Sequence, residues 1–166
     1  MMKMAEIWEL VDEQKRKTGI LHERAYSEQI PKGFYHIVVE IWTKTRDGEL
    51  LLTQRHPQKP MGLLWECTMG SVVVGEESRE GAARELAEET GIYAREEDLI
   101  YLGDTFHSNW IVDSYLYLPE EKPALRLFTE GGSRKCRVCK AFGHGQATIR
   151  DRGRRLDALL QIPREN

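Results

Sequence analysis

A chain of 166 residues, 40% hydrophobic and 31% charged, is long enough for one self-supporting domain and too apolar for overall disorder. No apolar run approaches the roughly 20 residues that span a bilayer. The stretch Met1–Val11 carries Glu6 and Glu9 and lacks the basic-then-apolar pattern of a secretory leader, so a cytoplasmic location without membrane attachment is expected.

The net charge of −3 hides an asymmetry. Residues 131–166 hold nine Lys or Arg against three Asp or Glu, leaving an acidic body that argues against a nucleic-acid surface there. The cysteines are three, Cys67, Cys136 and Cys139, an odd number in a chain that needs no disulfide framework, and reduced thiols are expected.

In chain order, Glu6–Asp12 is short and ambiguous between helix and strand, and is read as a strand. Lys15–Gly19 reads as a turn and Ile30–Gly33 as a loop. Tyr35–Thr43 is rich in β-branched and aromatic residues, and Asp47-Gly48 separates it from Glu49–Gln54, which is a hairpin signal. Arg55–Gly62, with two prolines and a glycine, reads as an exposed loop, and Trp65–Val74 as extended. Glu77–Thr90 is the strongest helix, with Ser78 as the N-cap candidate and Gly91 as the stop. Leu99–Phe106 and Ile111–Leu118 resume strand patterning. Strands around one strong helix, without regular alternation, predict an α+β or layered domain.

The chemistry concentrates on that helix. At about 100° per residue, Glu85, Glu88 and Glu89 share one face while Ala82, Ala83, Leu86 and Ala87 occupy the adjoining one. Three neighbouring carboxylates repel one another, and a hard divalent cation offsets that cost most simply. Arg84 and Glu76 offer an orienting pair for the cluster, and Gly70 and Gly75 bracket a segment free to turn tightly.

The whole run, Gly70, five residues, Glu76, seven residues, Arg84-Glu85-Leu86, one residue, Glu88-Glu89, one residue, Gly91-Ile92, resembles the complete Nudix box. The resemblance implies a Nudix-type α/β/α sandwich with a mixed sheet. It further implies hydrolysis of a small-molecule diphosphate, such as a nucleoside diphosphate derivative, by water activated on Mg²⁺ or Mn²⁺. Carried over by position, Gly70 through its carbonyl, Glu85, Glu88 and Glu89 are implied metal ligands. Arg84 orients Glu85, Glu76 braces the loop, and Glu85 is taken as the general base. A homodimer is compatible with this reading.

Outside the box, Arg55, His56 and Lys59 offer a cationic loop for phosphate, and Trp110, with His107 and Asn109, offers a surface for stacking on a base. Glu40 and the Trp65-Glu66 pair also resemble isopentenyl-diphosphate-isomerase-like Nudix proteins. The cysteine that those isomerases place before the first box glycine is here Met69, with Cys67 two residues earlier, so isomerase activity is the weaker enzyme reading. A catalytically inactive nucleotide-binding module is the third.

The expected domain covers 1–130, and 131–166 is expected to be an atypical basic tail, poorly ordered or a short helix, leaving the C-terminal part of the fold incomplete or disordered. Cys136, Cys139 and His144 have the spacing of three zinc-knuckle ligands, but Ile149 stands where the fourth would fall, so zinc is not expected. A change of reading frame near Gly131 would account for such a tail, and Asp151–Leu160 retains a short helical pattern.

Overall fold

The computed structural model describes residues 5–55, 57–58, 62–121 and 123, and the backbone of Ser133–Lys140. At the N-terminal end, β1 (Ile7–Val11) pairs antiparallel with β2 (Lys17–Glu23). The intervening turn lies at Asp12–Arg16, not at Lys15–Gly19. The Asp12 carboxylate accepts the N–H groups of Gln14 and Arg16, both at 2.9 Å, and Lys15 turns the chain at φ 61, so Lys17 already begins a strand. A 3-10 turn over Arg24–Gln29 follows β2.

A four-stranded mixed sheet occupies the centre. β3 (His36–Thr43) runs parallel to β8 (Trp110–Tyr117) and antiparallel to β6 (Thr68–Ser71), and β7 (Leu99–Phe106) pairs antiparallel with β8, giving the order β6-β3-β8-β7. The β-branched and aromatic run of β3 is buried on both faces, as suits a central strand with a neighbour on each side. Val39, Ile41 and Tyr115 pack on one face with Ala82 and Leu86, whereas Trp42 and Leu116 pack on the other with Leu50 and Cys67.

β4 (Glu49–Arg55) belongs to a second sheet, between β5 (Trp65–Glu66) and β9 (Ser133–Lys140). The Asp47-Gly48 turn forms as expected, with Gly48 at φ 78 and its N–H bonded to Thr45 O at 3.0 Å. Pairing between β3 and β4 nevertheless stops at a single bridge, Lys44 with Leu50, because β3 takes β6 and β8 as its neighbours. The expected hairpin is therefore a corner between two sheets.

β9 departs from the expected tail: it runs antiparallel to β4 from Glu49↔Lys140 to Arg55↔Ser133, carrying the fold past residue 130. The short helix expected at Asp151–Leu160 and His144 of the Cys-Cys-His run lie outside the described residues, as do the side chains of Cys136 and Cys139. Among the described residues one α-helix, α1 (Ser78–Thr90), supplies the helical layer. The architecture is α+β with a mixed sheet, as expected.

Candidate functional site

The helix that carries the acidic run is fixed at both ends by its own sequence. Its N-cap is Glu77 rather than Ser78: Glu77 and Glu80 form a reciprocal capping box, and Ser78 Oγ instead donates to Asp113 Oδ2 at 2.5 Å and pairs with Tyr115 OH at 2.9 Å. Gly91 ends the helix in the left-handed region at φ 75. Gly81, Ala82, Leu86 and Thr90 face inward, which leaves the glutamates along the edge of the core.

Arg84 is the hub of the loop and helix. Its Nε donates to Glu76 Oε1 at 2.6 Å, Nη1 to Glu85 Oε1 at 2.9 Å and Glu88 Oε2 at 3.2 Å, and Nη2 to Ser71 O at 2.9 Å and Glu76 Oε2 at 3.1 Å. All five N–H groups of the guanidinium are thereby engaged. Glu76 also accepts the Val73 N–H at 3.1 Å, so one carboxylate ties the loop to the helix. Burial acts to raise Glu76, but the Arg84 and Val73 hydrogen bonds outweigh it and hold its carboxyl below its ordinary range. Arg84 itself is raised, first by its hydrogen bond to Glu76.

Glu85 behaves oppositely. Its side chain is 15% exposed, and burial raises its pKa against the opposing charge and hydrogen bond of Arg84. It lies directly over Gly70: a Cβ built on that glycine would fall 1.8 Å from Glu85 Cδ. Glu88 is 60% exposed and Glu89 half-buried beside it. The carboxylates of Glu85 and Glu88 meet on Arg84, and among the described residues no three of Asp, Glu, His or Cys form a ready-made metal cage. The residues nonetheless fit a hard divalent cation. Their donors are all oxygens, the absent Cβ of Gly70 lets the Glu85 carboxyl lie against that backbone, and the exposed Glu88 can swing toward Glu85.

The other residues singled out in the sequence are scattered. Arg55 at the end of β4 donates through Nη1 to both oxygens of Glu66, at 2.9 and 3.1 Å, so its charge is met within the chain. His56 and Lys59 lie outside the described residues. Trp110 starts β8 and stacks on His107, with centroids 4.6 Å apart and planes 14° from parallel, while Asn109 Nδ2 donates to Ser27 O at 2.9 Å. Glu40 is buried, accepting from Ser114 Oγ at 2.6 Å. Cys67 is 3% exposed, and burial pushes its thiol well above the ordinary cysteine range. With Met69 packed against the same apolar cluster, neither side chain offers the isomerase proton transfer.

Two features escaped the sequence reading because they join distant segments. Glu6 accepts Trp8 Nε1–H at 2.9 Å and Arg24 Nη1–H at 2.6 Å, bonds with the Ser71 side chain, and is near enough to Glu85 to add to the latter's raised pKa. Lys15 donates to the buried Asp113 at 2.5 Å and to Tyr101 OH at 3.1 Å. It lines a cavity of about 580 Å³ whose wall includes Glu76 and Ser78 but none of Glu85, Glu88 and Glu89.

Comparison with known proteins follows the same lines. The NUDIX domain model matches residues 34–141. An uncharacterized Nudix hydrolase of Clostridium acetobutylicum is 28% identical over 134 residues, covering 75% of this chain and 64% of that protein. The chain spans about half the length of other curated relatives that it matches. A crystal structure from Deinococcus radiodurans superposes with TM-score 0.62 at 19% identity, covering 81% of this chain and 83% of that one. A bifunctional NMN adenylyltransferase/ADP ribose pyrophosphatase from Francisella tularensis, complexed with AMP and a Mn ion, gives 0.55 at 19% identity, covering 72% of this chain and 37% of that one. At such identities the structural likenesses speak to fold alone.

Proposed function

The chain belongs to the NUDIX domain family, and from that premise we propose that it is a divalent-cation-dependent hydrolase of a diphosphate bond in a nucleoside diphosphate derivative. The observation that carries this reading is the Arg84 hub, which draws Glu76, Glu85, Glu88 and the Ser71 carbonyl to one guanidinium. A solvated helix face has no reason to build such a construction.

In this reading the Gly70 carbonyl, Glu85, Glu88 and Glu89 hold Mg²⁺ or Mn²⁺. Bound there, the cation neutralises charge on the phosphate oxygens and lowers the pKa of water. Arg84 orients Glu85, and Glu76 fixes the loop that presents the Gly70 carbonyl. Glu85 is the general base: burial raises its proton affinity, and Arg84 fixes where the proton is taken. The Mn ion in the Francisella neighbour and the AMP bound with it support the cation class and the nucleotide class.

The test is a hydrolysis screen over nucleotide sugars, dinucleoside polyphosphates, nucleoside triphosphates and isoprenoid diphosphates, with and without Mg²⁺ or Mn²⁺. Cation-dependent turnover that is lost in Glu88→Gln and Glu89→Gln supports the reading. Ligand binding without any turnover would make the chain a nucleotide-binding module instead.

A further inference from the structure

The proposed site has an electrostatic difficulty. Glu76, Glu85 and Glu88 converge on one arginine with Glu6 close enough to act on Glu85, and a diphosphate brings further negative charge to the same place. Arg84 cannot receive it, because all five of its N–H groups already point at protein oxygens. Arg55 is turned onto Glu66. His36, stacked on Trp8, is neutral near pH 7, since burial lowers its pKa to about 4. Beside the divalent cation, a positive side chain from another described segment would offset that charge.

We infer that Arg24 is the phosphate-binding arginine of this site, held in place by Glu6. The inference rests on the hydrolase reading for its substrate class. Arg24 opens the 3-10 turn after β2, and its backbone N–H donates to Glu6 O at 2.9 Å, while its Nη1 donates to Glu6 Oε2 at 2.6 Å. Two bonds to one residue fix both the start of the side chain and its charged end. Glu6 is in turn anchored by Trp8 Nε1–H and by the Ser71 side chain, and Ser71 follows Gly70 at the end of β6.

The N-terminal segment is docked on the loop that follows β6 by a second contact, Val74 N–H to Ile7 O at 2.8 Å. Arg24 is thus joined to the carboxylate cluster through Glu6, although it stands 60 positions upstream of Arg84 in the chain. Only Nη1 is bound to Glu6 and the side chain remains 60% exposed, so the guanidinium fork faces solvent, as a phosphate-binding arginine must.

The same turn is tied on its other side to the β7–β8 connection, through Asn109 Nδ2 to Ser27 O. The turn that Arg24 opens is therefore tied to the strand of Gly70 through Glu6 and Ser71, and to the neighbourhood of the His107–Trp110 stack through Ser27 and Asn109. A substrate with a diphosphate at Arg24 and an aromatic base toward Trp110 fits that arrangement, and an inorganic diphosphate satisfies only its first half.

The test uses methylenediphosphonate, a diphosphate that cannot be hydrolysed, titrated calorimetrically into the full chain with Mn²⁺ present. Arg24→Gln should weaken its binding roughly 10- to 100-fold, as expected for loss of charge-assisted hydrogen bonds to phosphate. Arg24→Lys, which keeps the charge without the fork, should fall between, and Glu6→Gln should cost less than Arg24→Gln because the guanidinium survives. Mn²⁺ uptake without the diphosphonate should be unchanged in the Arg24 variants. Binding by Arg24→Gln within twofold of the parent chain, a parallel loss of Mn²⁺ uptake, or no uptake of the probe by the parent chain overturns the inference. Absence of turnover in the substrate screen, with probe binding still dependent on Arg24, removes the hydrolase reading and leaves the phosphate role standing.

Discussion

Gly70 in β6 and Glu85 in α1 touch so closely that the glycine has no substitute: any Cβ at position 70 would occupy the space of the Glu85 carboxyl group, 1.8 Å from Cδ and 2.1 Å from Oε1. The glutamate cannot withdraw cheaply, because Arg84 holds its Oε1 at 2.9 Å. Gly70→Ala should therefore expel Glu85 from its position. The expected outcome is a loss of kcat/KM on the order of 100-fold and a destabilisation of about 1–3 kcal/mol from overpacking. Steady-state kinetics and urea unfolding measure the two; near-parental kinetics would show that Glu85 is not needed where it stands.

Replacing Arg84 by Gln leaves Glu76 and Glu85, 19% and 15% exposed, without the cation they share. Breaking such a partly buried network is expected to cost about 2 kcal/mol, discounted from the fully buried case for solvent access. Turnover should fall further than stability implies, because Glu85 loses the bond that orients it. Arg84→Lys should recover part of the stability but little of the activity, since a single ammonium cannot make the five bonds of the fork. Equal losses in the two variants would argue against the geometric role.

The box from Gly70 to Ile92 is legible in the sequence because it is local: helical period, capping and the Gly91 stop are all set within a few residues of one another. What is not legible depends on partners far along the chain. Ser78 reads as a cap, but Asp113, 35 positions on, takes its hydroxyl, and Glu77 caps instead. The Asp47-Gly48 hairpin reads correctly as a turn, yet β8 inserts beside β3 in parallel and sends β4 to another sheet. β2 is hidden because most of its side chains are exposed or half-exposed and Gly19 interrupts the pattern. β9 is hidden because antiparallel pairing with β4 is made by backbone groups, which a Lys- and Arg-rich run does not advertise. Glu6 and Arg24 carry no signal in one dimension, since only the docking of β1 on the loop brings them near Glu85.

Lys15 and Asp113 make a similar long-range pair, 98 positions apart, around an aspartate that is 1% exposed. Asp113 also accepts from Ser78, so the pair fastens the first turn of α1 to the central sheet. Lys15→Met should destabilise the fold by about 3 kcal/mol, the cost of leaving a buried carboxylate without its cation. The double variant Lys15→Met with Asp113→Asn should regain part of that loss. If denaturant unfolding finds the two substitutions additive, the pair does not act as a unit.

Acid should weaken the fold through His36. The ring is 8% exposed and stacked on Trp8 at 3.9 Å, and burial lowers its pKa from 6.5 to about 4. In the unfolded chain the same imidazole takes up a proton below about pH 6.5, whereas in the folded chain it does not until about pH 4. The unfolded state therefore binds more protons across that window, and stability falls as pH is lowered through it. Above pH 6.5 the effect is absent; below pH 4 it is complete, at about 3 kcal/mol from 1.36 kcal/mol per unit of pKa difference. Carboxylates titrate at the lower end of the same range, so the diagnostic is a difference between proteins. Unfolding free energies of the parent chain and His36→Asn, measured from pH 7.5 to 4.5, should converge as pH falls, because the variant lacks this proton uptake; parallel curves would mean that His36 titrates normally in the fold.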